Sequence, residues 1–174
     1  MLKIYKYYTV LIILFLLTAC NPVFDWRVIK TQEGWEAIFP KKPFEKKRII
    51  DLLLENQIRK VEIYRYFCKV ENITFIVESA KILNINNSGS TSYLEKKLFE
   101  SMKENFNISH SKNVNNIKIY DGYIQNNDED SKQNLKIATL YKVSEEKVVR
   151  GVVLSGSKFF NEENAIFFLQ SIKQ

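Results

Sequence analysis

Histidine occurs once in these 174 residues, cysteine and methionine twice each, proline three times and glycine five times. Each scarcity removes something. With His110 alone, a histidine-based zinc cluster and a Ser-His-Asp triad lack material, because both need imidazoles beside further ligands or partners at set geometry. His110 lies in the polar segment 107–116, which holds no carboxylate, and reads as a solvated loop histidine. No nucleotide-binding constellation occurs, and no Gly/Ser-rich tether. Asp128, Glu129 and Asp130 are consecutive, whereas a calcium loop spaces its oxygen ligands alternately around a glycine; a hairpin tip is the better reading. No metal, cofactor or catalytic residue is expected. Nor is there an apolar run long enough to span a bilayer, which takes about 20 residues.

What is present is concentrated at the start. Lys3 and Lys6 are the only charges in the first nineteen residues, followed by the apolar run 7–17 and then Leu17-Thr18-Ala19-Cys20. A short basic region, an apolar stretch of about 7–15 residues and a small-residue exit describe an export signal that is cleaved. Leu17-Thr18-Ala19-Cys20 resembles the lipobox of bacterial lipoproteins. That resemblance implies cleavage before Cys20 and diacylation of its thiol, since a thioether carries the lipid. It divides the chain into a signal peptide at 1–19, a lipidated N-terminus and short tether at 20–23, and one domain at 24–174. Asn21 stands where aspartate would retain such a protein in the inner membrane. In a Gram-negative host it therefore favours the outer membrane, on its periplasmic face.

Removing nineteen of 174 residues leaves 155, enough for one domain with a core. Without Lys3 and Lys6 the 26 basic residues become 24 against 20 acidic ones, a net charge of about +4. Nucleic acid is not expected as the partner of an exported chain. Lipidation of Cys20 leaves Cys68 alone, so no intramolecular disulfide can form. Cys68 sits in the strand-like run 64–68 and reads as a small buried hydrophobe.

Hydrophobic periodicity organises the remainder. Strands are expected at 26–29 and 35–39 around the Glu33-Gly34 turn, and at 49–54 and 58–69 around Glu55-Asn56. Another is expected from Ile73, Phe75 and Val77 after a bend at 70–72. Leu94, Leu98, Met102 and Phe106 have helical spacing, with Ser92 and Glu95 as a capping box. Strands follow at 117–124, 135–143 and 148–154, with turns at 126–133 and 144–146. Asn161 caps a final helix, with Glu162 and Glu163 at its positive end and Ala165, Phe168, Leu169 and Ile172 on one face. The expected class is α+β: an antiparallel sheet of six to eight strands packed with two amphipathic helices.

Asp25-Trp26-Arg27, the turn at Gly34, Phe39-Pro40-Lys41-Lys42-Pro43 and the late segment 167–173 together resemble small proteobacterial lipoproteins of unknown function. At a coarser level the order of elements is similar to the PsbP-like fold, shared with the photosystem extrinsic protein and the Mog-type Ran-binding proteins. The resemblance implies an accessory or assembly role and supplies no catalytic residue.

Two local features carry alternatives. Lys41, Lys42, Lys46, Lys47 and Arg48 place five cations within eight residues near the anchor. They could contact an anionic membrane, each contributing up to about 1 kcal/mol. The preferred alternative is an edge strand guarded by lysines against aggregation. Trp26, Trp35, Tyr64, Tyr66 and Phe67 could line an apolar ligand groove, although core packing is preferred. The function expected is a non-enzymatic, membrane-anchored envelope lipoprotein that binds or helps assemble another envelope protein. A carrier of a lipid or small apolar ligand is the alternative, and a hydrolase using a carboxylate with His110 ranks last.

Overall fold

The computed structural model describes residues 23–83, 90–125 and 132–174. Two strands, β1 (Arg27–Lys30) and β2 (Glu36–Phe39), form a separate antiparallel hairpin. The main sheet holds β3 (Phe44–Leu54), β4 (Gln57–Val70), β5 (Ile73–Ile82), β6 (His110–Val114), β7 (Ile117–Gln125), β8 (Lys132–Val143) and β9 (Lys147–Gly156). Helix α1 (Ser90–Phe106) falls between β5 and β6, and α2 (Glu162–Gln170) closes the chain after a short 3-10 turn. The class is α+β, as the periodicity predicts.

Sheet order is β3-β4-β5-β9-β8-β7-β6, antiparallel throughout. The chain meanders through β3, β4 and β5, and α1 carries it to the far edge. Four strands then return until β9 closes against β5. Tight turns drive this. Glu55-Asn56 and Asn115-Asn116 both place two successive residues at positive φ, between 50° and 66°, the backbone twist that suits a two-residue hairpin.

Both faces are covered, and strand alternation assigns the side chains. On β9, Val148 and Val152 meet α1 while Val149 and Val153 meet α2. Leu94, Leu98 and Met102 of α1 are buried on the first face. On the second, Ala165, Phe168 and Leu169 of α2 join Trp35, Ala37 and Phe39 over Phe75 and Val77. Each such large side chain contributes roughly 1.5–3 kcal/mol when fully buried. Gly151 makes the second packing fit, because a Cβ there would lie 2.3 Å from Ile172 Cδ1 and 2.6 Å from Leu169 Cδ2.

Some expectations change. β3 begins at Phe44 rather than at 49, because Phe44 through Arg48 pair in register with Phe67 through Ile63 despite their polarity. The segment read as a loop around His110 is strand β6, whose backbone sets His110 opposite Asp121. Helix α1 opens at Ser90, so Ser92 lies within the first turn rather than at the cap. The Asn161 cap stands: its side chain accepts from the Asn164 amide at 2.9 Å, with Glu162 and Glu163 in the first turn. Asp128, Glu129 and Asp130 lie outside the described residues.

Candidate functional site: a basic cleft beside helix α1

Cys20 lies outside the described residues, and the chain is packed from Phe24 onward. The Asp25 amide donates to the Pro40 carbonyl at 2.9 Å. Phe24 stacks on Trp26 at 5.6 Å, and Trp26 meets Phe167 edge-on at 4.9 Å. This corner therefore brings the start of the domain beside the link from β2 to β3. Lys41 and Lys42 are exposed there, and Val23, the first described residue, is exposed as well.

The five cations do not form one patch. Lys46, Lys47 and Arg48 lie on β3, an edge strand of the sheet. Alternation sends Lys47 to the α2 side, where its Nζ meets Glu62 at 2.6 Å and lies 4.8 Å over the Tyr64 ring. Those partners hold the Lys47 ammonium above its ordinary range. Lys46 and Arg48 face the α1 side, paired in register with Arg65 and Ile63.

On that side a cleft of about 380 Å³ opens between α1 and strands β3, β4, β5 and β9. Glu78 is at its floor, 1% exposed. Arg65 Nε donates to Glu78 Oε1 at 2.6 Å, and Arg150 Nε donates to Oε2 at 2.9 Å. Arg150 Nη2 also bonds Oε2, and its Nη1 donates to the Leu98 carbonyl of α1 at 2.8 Å. The carboxylate is thus shared by two guanidiniums, and the cluster ties three central strands to the helix.

Burial works against the charge of Glu78, and Arg150 then Arg65 outweigh it, so its carboxyl is held below the usual carboxylate range. Burial likewise opposes the Arg150 charge, and Glu78 overcomes it. Tyr141 faces Arg150 across the β8–β9 pair. Burial pushes its phenol up, and its hydroxyl stands near the guanidinium without meeting hydrogen-bond geometry.

Arg48 and Lys97 complete the cationic lining, while Ile50, Leu52, Met102 and Val152 supply apolar wall. Lys97 is met by Glu100 at 2.7 Å. Among the described residues no carboxylate stands within ion-pair distance of Arg48. The cleft can therefore bind, by charge and apolar contact together. For bond-breaking chemistry it offers no thiol or imidazole: Cys68 is buried on the opposite face, where burial pushes its thiol up to about 11, and β6 lies at the far edge.

Four of the five aromatics proposed for a groove, Trp26, Trp35, Tyr64 and Tyr66, belong to one core cluster. Trp35 and Tyr66 meet edge-to-face at 5.0 Å in the core, Trp26 packs on Phe75, and Phe67 turns to the opposite face beside Phe44. Sequence reasoning missed Arg65, Glu78 and Arg150. The available signal was a charge in the interior of each of two largely apolar strands, Glu78 in β5 and Arg150 in β9, since such residues are almost never fully buried unless paired.

Among the described residues no group of three or more His, Cys, Asp or Glu could hold a metal ion, and no helix is long and apolar enough to cross a membrane. No family model, curated protein or solved structure matches the chain.

Proposed function

We propose that this chain is a lipoprotein of the bacterial cell envelope, held on a membrane by lipidated Cys20 and acting there as a non-enzymatic accessory or assembly factor for another envelope component. The observation that carries the reading is the sequence run itself: Lys3 and Lys6, the apolar stretch 7–17, and Leu17-Thr18-Ala19-Cys20. A single short acyl chain anchors only marginally, and the several chains of a bacterial lipoprotein hold stably.

Two features of the domain support it. Cys20 precedes Val23 by three residues, at most about 3.5 Å each, so the folded part stays close to the lipid. The corner that meets the anchor also combines exposed Val23 and Phe167 with exposed Lys41 and Lys42, the mixture of apolar and cationic groups that suits an anionic bilayer surface. With Asn21 after the cysteine, a Gram-negative host would sort the protein to the outer membrane, facing the periplasm.

The reading is tested by growing cells with an alkyne-bearing palmitate. Label on the wild-type chain and none on Cys20→Ala is the expected result. Equal labelling of both, or of neither, contradicts it.

A further inference from the structure

We propose that the cleft beside α1 binds a single-chain amphipathic anion, its carboxylate or phosphate head at Arg48 and Arg65 and its alkyl chain along Ile50, Leu52 and Met102. This goes beyond the anchor and stands independently of it.

Charge balance is the first ground. Glu78 has two oxygens and both are taken, one by Arg65 and one by Arg150. Two guanidiniums therefore share one negative charge at the floor, and Arg48 adds a third cation at the wall. Lys97 answers to Glu100 and is left out of the balance. Arg150 is only 12% exposed, where an excess positive charge is poorly compensated by water. An anionic head would supply the missing countercharge through charge-assisted bonds, and guanidiniums bind carboxylate and phosphate well because their forks match those oxygens.

Geometry is the second ground. Arg65 donates to Glu78 through Nε and holds Nη2 at ion-pair distance from the same oxygen, and its side chain is 37% exposed. It can meet a ligand without leaving the carboxylate. Arg48 follows Lys46 by two residues on the same face, so it stands one register step from Arg65.

Shape is the third. The walls away from the charges are aliphatic, and about 380 Å³ lies at the small end of ligand pockets. That suits a medium-length chain, or one end of a longer one, rather than a bulky polycyclic molecule. A polar head alone would leave the apolar wall unused, and a neutral chain would leave the charge unanswered.

The test uses the protein as purified from cells, with decanoic acid carrying a diazirine near its terminal carbon. After irradiation, peptide mapping should place the label on β3, β4 or α1. Excess decanoate or decyl phosphate should suppress it, and which of the two acts at lower concentration distinguishes a fatty-acid source from a phosphate-headed one. Arg48→Gln, a change at an exposed side chain, should weaken labelling at least about tenfold, the loss of one charge-assisted contact. Ser101→Trp, also at an exposed cleft position, should block it by filling space. Equal suppression by decanol, equal suppression by inorganic phosphate, or undiminished labelling of both variants would overturn the proposal.

Discussion

Glu78 is the residue on which the largest single effect should be seen. Converting it to Gln leaves Arg65 and Arg150 without their shared countercharge, and breaking a buried pair from one side costs about 3–5 kcal/mol. Urea unfolding of Glu78→Gln should register a loss of that order, and a loss under about 1 kcal/mol would contradict the account. The same residue sets a pH response. Because the folded protein holds its carboxyl below the unfolded value, the pair contributes stability above about pH 4.3, the ordinary glutamate range. That contribution falls away as pH drops through the folded value. Wild type should therefore lose stability on acidification below pH 4.3 more steeply than Glu78→Gln, and parallel curves would count against the sign argued here. Cys68 gives a third residue-level expectation. With its thiol pushed up to about 11 by burial, it should resist a thiol-reactive reagent at pH 8 until the chain is unfolded. Rapid native labelling would show that the α2 face opens.

At the scale of elements, Gly151 decides how α2 sits. A Cβ would intrude on Leu169 and Ile172, so Gly151→Val should force the helix off the sheet at a cost of roughly 1–3 kcal/mol or more, visible as a lowered thermal midpoint. An unchanged midpoint would mean that α2 docks more loosely than its contacts indicate. The elements also define what the sequence could reveal. Central strands and both helices were legible because burial shapes their sequence: Leu94, Leu98 and Met102 recur at helical spacing in α1, and the Val148-Val149 and Val152-Val153 pairs mark β9 as buried on both faces. Edge strands were not. β6 and the first half of β3 carry no complete apolar face, so pairing and turn geometry hold them rather than hydrophobic burial. The Asn115-Asn116 pair was the missed turn signal for β6. The cleft was only half legible, since Arg48 was singled out for its neighbours in sequence while Arg65, Glu78 and Arg150 come together only through strand register.

For the whole molecule, the proposed covalent anchor and the sheet together would set an orientation. Residue 42 lies by the corner where the described residues begin, and residue 145 lies in the β8–β9 turn at the other end of the sheet. With an environment-sensitive fluorophore on Lys42→Cys or Glu145→Cys, the lipidated protein in anionic vesicles should give a blue-shifted spectrum at 42 and an aqueous one at 145. The reverse pattern would mean that the opposite end faces the bilayer. The cleft opens on the α1 side, while the first described residues pack on the α2 side, so the proposed anchor and the proposed ligand would use different faces of one sheet. All of this presumes that the chain reaches a membrane through Cys20, and intact mass of the membrane-extracted protein tests that most directly. The account predicts a chain that begins at Cys20 and carries added acyl mass, with Cys20→Ala unacylated. A full-length chain bearing no lipid would contradict it.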